Sequence, residues 1–325
     1  MTLSGHYWTL RRFFAGFVEP GMPAAALPWR HEATDALGTP LLLSGAHLPA
    51  ESDELLVVLH GLGGSIRSRY MPRVAHLASR RRLSVLLLNA RGAGEDDQGI
   101  AHAGLTLDLQ QCLSAPSLAR FSHVYLLGYS MGGHVALRYA SENPDPRLRA
   151  VVAVCSPLQL EASMRAFDRP RFSVYRQYVL RALMAGYERW SKHGGAPVAI
   201  EQLRGIRSIR EWDERVVVPT FGFESVWAYY ASQSASRTLA RLQVPGLYLG
   251  ARHDPMVPFE SVRTALQGAP KQLEIHWAEI GGHLAFGRGF RLHDAGEPGL
   301  ESQVLGWLCC HGHESRSLPE SGPAG

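Results

Sequence analysis

Two glycines bracket a serine in Gly128-Tyr129-Ser130-Met131-Gly132, where the apolar run Val124 to Leu127 gives way to a helical pattern over Gly133 to Ala140. A G-x-S-x-G pentapeptide between strand and helix is the layout of a nucleophile held on a tight corner. The glycines remove side chains that would clash where the chain doubles back, and the helix start aims free N–H groups and positive dipole at the hydroxyl. A serine hydroxyl attacks well only when a base takes its proton, and a third group must orient that base. The order expected on a parallel sheet is Ser, then Asp or Glu, then His. Asp254, in "ARHDPMVP", follows one apolar run, and His283, in "EIGGHLAFG", follows the next. Both fall just past strand ends, on the edge where open parallel sheets bind ligands. Chain order and loop position select His283 among 15 histidines, while Glu279 and Asp213 stand as substitutes for the acid.

The oxyanion formed in such an attack needs two backbone donors. One is the N–H of Met131, directly after the serine, and the glycine-rich "VVLHGLGGS" (Val57 to Ser65) offers the other at Leu62. Such a route would pass through an acyl-enzyme that water resolves, and it calls for no cofactor.

These groups need a sheet to hold them. Six apolar runs read as strands buried on both faces: Glu54 to His60, Leu83 to Asn89, His123 to Tyr129, Ala150 to Ser156, Val244 to Gly250 and Leu273 to Glu279. Helical patterns alternate with them at Tyr70 to Arg80, Leu105 to Arg120, Gly133 to Glu142, Phe259 to Leu266 and Leu300 to Leu308. Continuous rather than alternating hydrophobicity predicts an α/β fold with a mostly parallel central sheet flanked by helices. Two weaker strands, His31 to Asp35 and Pro40 to His47, predict an antiparallel edge. The alternation lapses between Pro157 and about Leu242, too long a gap for one crossover. The helical patterns Arg171 to Trp190 and Ser225 to Leu242 inside it predict a helical cap inserted in the core. The expected organisation is an N-terminal segment with edge strands (1–52), a core (53–157 and 243–311), a cap (158–242) and a disordered tail (312–325). Cap aromatics, among them Phe167, Phe172, Tyr175, Tyr178, Phe221, Phe223, Trp227, Tyr229 and Tyr230, divide between lining an acyl pocket and packing the cap.

The chain has 325 residues, 46% of them hydrophobic, enough for one large domain with an insertion. Its net charge of +4 comes from arginines dispersed among 29 acids, and "SRRR" (Ser79 to Arg82) reads as a solvated helix end. That pattern gives no clustered basic face for nucleic acid. Four cysteines, two of them adjacent, form no disulfide framework and suggest a reduced, cytoplasmic chain. His6, Arg11 and Arg12 interrupt the N-terminal apolar residues, which argues against a signal peptide. No stretch is long enough to span a bilayer, which leaves peripheral membrane contact open. "CCHGH" (Cys309 to His313) lacks the paired spacing of a structural zinc site. "NARGAGED" lacks the third glycine of a dinucleotide fingerprint, so neither a metal nor a nucleotide is expected.

Taken together, "GHYWTL", "HGLGGS", "NARGAGED", "AHAGLTLDL", "GYSMGGH", "FGFESVWAYYASQSA", "ARHDP" and "GGHLAF" resemble the YheT-like branch of the α/β-hydrolase superfamily. That branch is related to plant embryogenesis-associated and animal abhydrolase-domain esterases and lipases. The resemblance runs from about His6 to Leu308. It implies an α/β-hydrolase core with a helical cap, a triad of Ser130, Asp254 and His283, and carboxylic-ester hydrolysis, with a small-molecule ester or lipid as substrate and the chain acting as a monomer or dimer. Two positions depart from the family pattern: His253 stands where an aspartate is frequent, and Ala285 where glycine usually follows the histidine. An acyltransferase would share every catalytic residue, and a catalytically silent binding scaffold would more often have lost one.

Overall fold

The structure is a computed structural model that describes residues 3–14, 21–36, 38–95, 99–292 and 297–314. Eight strands form one twisted sheet: β1 (Leu27–Thr34), β2 (Pro40–Leu48), β3 (Glu54–Leu59), β4 (Ser84–Leu88), β5 (His123–Tyr129), β6 (Leu148–Val154), β7 (Gly246–Ala251) and β8 (Leu273–Ala278). Their spatial order is β1-β2-β4-β3-β5-β6-β7-β8. Strands β3 to β8 run parallel, while β2 lies antiparallel to both β1 and β4.

Successive residues of a strand face opposite ways, and the strands are apolar in both registers. On β3, Leu55, Val57 and Leu59 enter one core and Leu56 and Val58 the other. The first core is closed by α3 (Leu107–Leu113), α4 (Met131–Ala140) and α10 (Phe259–Leu266), through residues such as Leu109, Leu137 and Val262. The second is closed by α2 (Tyr70–Arg80) and α11 (Leu300–Glu314), through Met71, Val74, Val304 and Leu308. The result is a three-layer α/β/α sandwich with the C-terminal ends of the parallel strands on one edge.

Between β6 and β7 the chain builds a helical insertion with a core of its own. It comprises α5 (Leu160–Phe167), α6 (Ser173–Lys192), α7 (Ile209–Trp212), α8 (Val218–Phe221) and α9 (Val226–Gln233). A π-helical turn, Asp213–Val217, joins α7 to α8. Phe167, Phe172, Tyr175, Trp212, Tyr229 and Tyr230 are buried in this core. Tyr178 and Trp227 remain exposed.

Several elements differ from their sequence-based expectations. The helix expected over Leu105 to Arg120 closes at Leu113, and a 3-10 turn at Pro116–Leu118 follows, because Pro116 supplies no N–H to continue the ladder. Helix α11 continues past Leu308 to Glu314, with the His311 ring stacked on Trp307 and its Nδ1 bonded to the Trp307 carbonyl. Most of the expected tail lies outside the described residues. The N-terminal segment contains an unexpected helix, α1 (Leu3–Phe14), which lies across the loop after β8.

Candidate active site

The corner after β5 is built by steric exclusion. Ser130 adopts φ 52° and ψ −119°, a region that side chains with a Cβ rarely enter. A Cβ on Gly132 would lie 2.5 Å from the carbonyl oxygens of both Leu59 and His60, so only glycine lets α4 start this close to β3. The Ser130 N–H donates to the Val154 carbonyl at 2.8 Å, tying the corner to the neighbouring strand. Met131 opens α4, so its N–H has no acceptor within the helix.

The loop after β3 runs directly against the serine. A Cβ on Gly61 would meet Ser130 Cβ at 3.1 Å and Oγ at 3.6 Å. The Gly61 N–H is taken by the Tyr70 hydroxyl at 2.9 Å, and Leu62 comes next in the chain. His60 holds this loop in place. Its Nε2 accepts the Ala90 N–H at 3.0 Å, which leaves Nδ1 to donate to the Gly61 carbonyl at 2.8 Å. Burial lowers its pKa to about 4, so the ring is neutral and its tautomer fixed. The sequence pattern marked the glycines of this loop but not this role for the histidine.

At the other side of the edge, Asp254 and His283 meet. Asp254 Oδ2 lies 2.8 Å from His283 Nδ1, and both side chains are buried. Asp254 Oδ1 accepts the N–H groups of Met256 and Val257 at 2.8 and 2.9 Å, which fixes the carboxylate through its own loop. Glu279 instead pairs with Arg252 at 2.6 Å, and Asp213 accepts from the Tyr230 hydroxyl at 2.7 Å inside the insertion. Neither substitute acid is at the imidazole. Cys155, in the left-handed region at φ 50°, completes the cluster, with its sulfur, the carboxylate and the imidazole within 4.8 Å of one another. Burial pushes the Cys155 thiol well above its ordinary pKa, so the sulfur stays a neutral thiol beside the carboxylate and the imidazole.

Helix α1 supports the histidine from above. The His283 N–H donates to Thr9 Oγ1 at 2.8 Å, and the same hydroxyl donates to the Gly5 carbonyl at 2.8 Å. A Cβ on Gly282 would lie 2.3 Å from the Gly5 carbonyl oxygen, which explains why the loop carries glycine at the contact. His6 Nδ1 bonds the Tyr175 hydroxyl at 2.9 Å, linking α1 to α6.

A cavity of about 480 Å³ opens beside Leu62 and Met131. It lies between the loop after β3, the loop after β4 and α6, with Ile100, Val135 and Leu183 among its apolar walls. On its wall Arg91 and Asp108 form a buried two-bond ion pair that joins "NARGAGED" to "AHAGLTLDL". His102 is packed against Phe221, Phe223 and Tyr229, and burial lowers its pKa to about 3, so it adds no charge. Of the cap aromatics, Tyr178 borders this cavity, while Tyr229 and Tyr230 border a smaller one beside it.

This arrangement can be compared with known proteins. The pattern of the Alpha/beta hydrolase family matches residues 56–295. YheT of Escherichia coli (strain K12) is 32% identical over 267 residues, covering 80% of this chain and 77% of that protein. A protein named medium-chain fatty acid ethyl ester synthase/esterase 2, from Saccharomyces cerevisiae, is 25% identical over 71% of this chain and 58% of its own length. The monoacylglycerol lipase of the same yeast is 23% identical over 73% of this chain and 55% of its own length. Among solved structures, the Pyrococcus furiosus esterase Pf2001 superposes with a TM-score of 0.52 at 18% identity, covering 79% of this chain and 84% of that one. DcsB, solved with a substrate analogue, gives 0.55 at 17% identity, covering 89% and 99%. At these identities the two structures speak to the fold alone. With its sheet order, its strained serine corner and these matches, the chain belongs to the alpha/beta hydrolase family, in the YheT-like branch.

Proposed function

We propose that this protein is a serine esterase that cleaves carboxylic esters through Ser130, His283 and Asp254. The observation that carries the reading is the buried 2.8 Å contact between Asp254 and His283, on the same sheet edge as a serine held at positive φ. His283 takes the Ser130 proton as Oγ attacks the ester carbonyl, and Asp254 holds the imidazole tautomer and balances the imidazolium. The N–H groups of Leu62 and Met131 receive the oxyanion. His283 then protonates the leaving alcohol, and water repeats the sequence on the acyl-enzyme. The apolar cavity beside Leu62 and Met131 suits short to medium acyl chains. Residues 158–242 act as the cap over it, and four free cysteines accord with action in the cytoplasm. Among the described residues no helix is long and apolar enough to cross a membrane.

The name of the yeast ethyl ester synthase/esterase favours a second reading, in which an alcohol rather than water resolves the acyl-enzyme. One experiment tests both. Wild type and Ser130→Ala are given p-nitrophenyl esters from acetate to palmitate, with and without ethanol, and a fluorophosphonate label is read by intact mass. Turnover and labelling in wild type alone support the esterase, and ethyl ester product would add the transferase. Activity retained in Ser130→Ala overturns the serine mechanism.

A further inference from the structure

The insertion contains an acid for which the proposed reaction has no use. Asp213 begins the π-helical turn, and such turns, rare in helices, recur at functional sites. Its side chain is buried, with the Tyr230 hydroxyl donating to Oδ2 at 2.7 Å. Burial raises its pKa to about 7, opposed in part by the Tyr230 bond, so the carboxyl both donates and accepts near neutrality. Asp213 and Tyr230 border a niche of about 20 Å³ whose other walls include Leu62, Met131, Met164 and Val217. That is room for about one water-sized group. The niche shares Leu62, His102, Met131 and Trp212 with the larger cavity.

A niche with room for one oxygen, walled mostly by apolar side chains and carrying the Asp213 carboxyl, thus lies next to the two residues assigned to the oxyanion. We propose that Asp213 reads a hydroxyl group carried by the substrate close to its scissile carbonyl, making hydroxylated esters the preferred class. This rests on the esterase reading. An ammonium fits worse, because it brings three donors into a niche whose remaining walls are largely apolar, whereas a hydroxyl is satisfied by one carboxyl. A bare hydrocarbon in the same place would set the carboxyl against apolar surface in place of a further polar partner, which is how a polar site rejects an analogue lacking the hydroxyl.

The test compares kcat/KM within two matched pairs. Ethyl 3-hydroxybutyrate against ethyl butyrate places the hydroxyl on the acyl side, and glycerol 1-monobutyrate against propyl butyrate places it on the alcohol side. The wild type should favour the hydroxylated member of one pair by roughly 10–100-fold, which identifies the side. In Asp213→Leu that ratio should fall to within roughly threefold. Should Asp213→Leu fail to fold, Tyr230→Phe removes the anchoring donor and should weaken the discrimination in the same direction. Equal kcat/KM within both pairs, or a preference that survives both variants, overturns the niche alone. Turnover of none of the four esters overturns the esterase reading and the niche together.

Discussion

Ser130 has a backbone cost that can be measured separately from its chemistry. At φ 52° and ψ −119° a residue with a Cβ stores about 1–3 kcal/mol of strain, which glycine does not feel. Glycine loses about 0.5–1 kcal/mol to its freer unfolded chain, so replacing the strained residue should stabilise by up to about 2.5 kcal/mol, with a mid-range value of about 1 kcal/mol. The proper reference is Ser130→Ala, which lacks the hydroxyl but keeps the Cβ, so the difference between Ser130→Gly and Ser130→Ala isolates the strain. With an unfolding entropy of about 2.1 cal/mol/K per residue, a chain of this size should gain up to roughly 4 °C in Tm. Urea midpoints at matched m-values give the free energy directly. Both variants should be inactive and unlabelled by fluorophosphonate. A Ser130→Gly protein no more stable than Ser130→Ala would refute the claim that the corner stores strain.

Other substitutions probe the supports around it. Gly132→Ala places a Cβ 2.5 Å from two carbonyl oxygens of the β3 end, so it should cost more than about 3 kcal/mol and abolish turnover, read by urea midpoint and ester hydrolysis. Thr9→Val leaves the His283 N–H without its acceptor and should cost about 1–3 kcal/mol, with kcat falling more than KM changes, while Thr9→Ser should restore both. Asp213 has a native pKa of about 7 against an ordinary 3.8, so the native state binds its proton more tightly. Its contribution is therefore complete below about pH 4 and is lost as pH rises through 7, a swing of up to about 4 kcal/mol. Asp213→Asn, which keeps a partner for Tyr230, should remove that slope from urea midpoints measured between pH 4 and 8. An unchanged slope would mean the acid is already ionised in the native state.

The sheet was legible because its strands are apolar in both registers, a pattern that needs no tertiary information to read. Boundaries slipped where the next event is nonlocal or chemical: Arg149 interrupts the apolar run at the start of β6, and Pro116 ends a helix whose period continues. The loop positions of Asp254 and His283 could be read from chain order, but their 2.8 Å contact could not, since 29 residues separate them. Helix α1 was not legible, because His6 and Arg11 look like interruptions until the insertion and the histidine loop are there to receive its buried face. His60 and Cys155 were invisible for a related reason. A histidine fixed by two backbone bonds and a thiol beside a carboxylate leave no periodic trace in a sequence.

The bond from Thr9 to His283 spans 274 positions, and this has a consequence for how the protein comes into being. During translation at about 5–20 residues per second, α1 leaves the ribosome roughly 15–55 s before the loop it must hold exists. Until then α1 has α6 to lie against through His6 and Tyr175 but not the loop after β8, and a nascent chain with a finished β5 corner still lacks an anchored histidine. Turnover would therefore begin only after the two ends of the chain have met, which makes activity a report on completed folding rather than on any part of it.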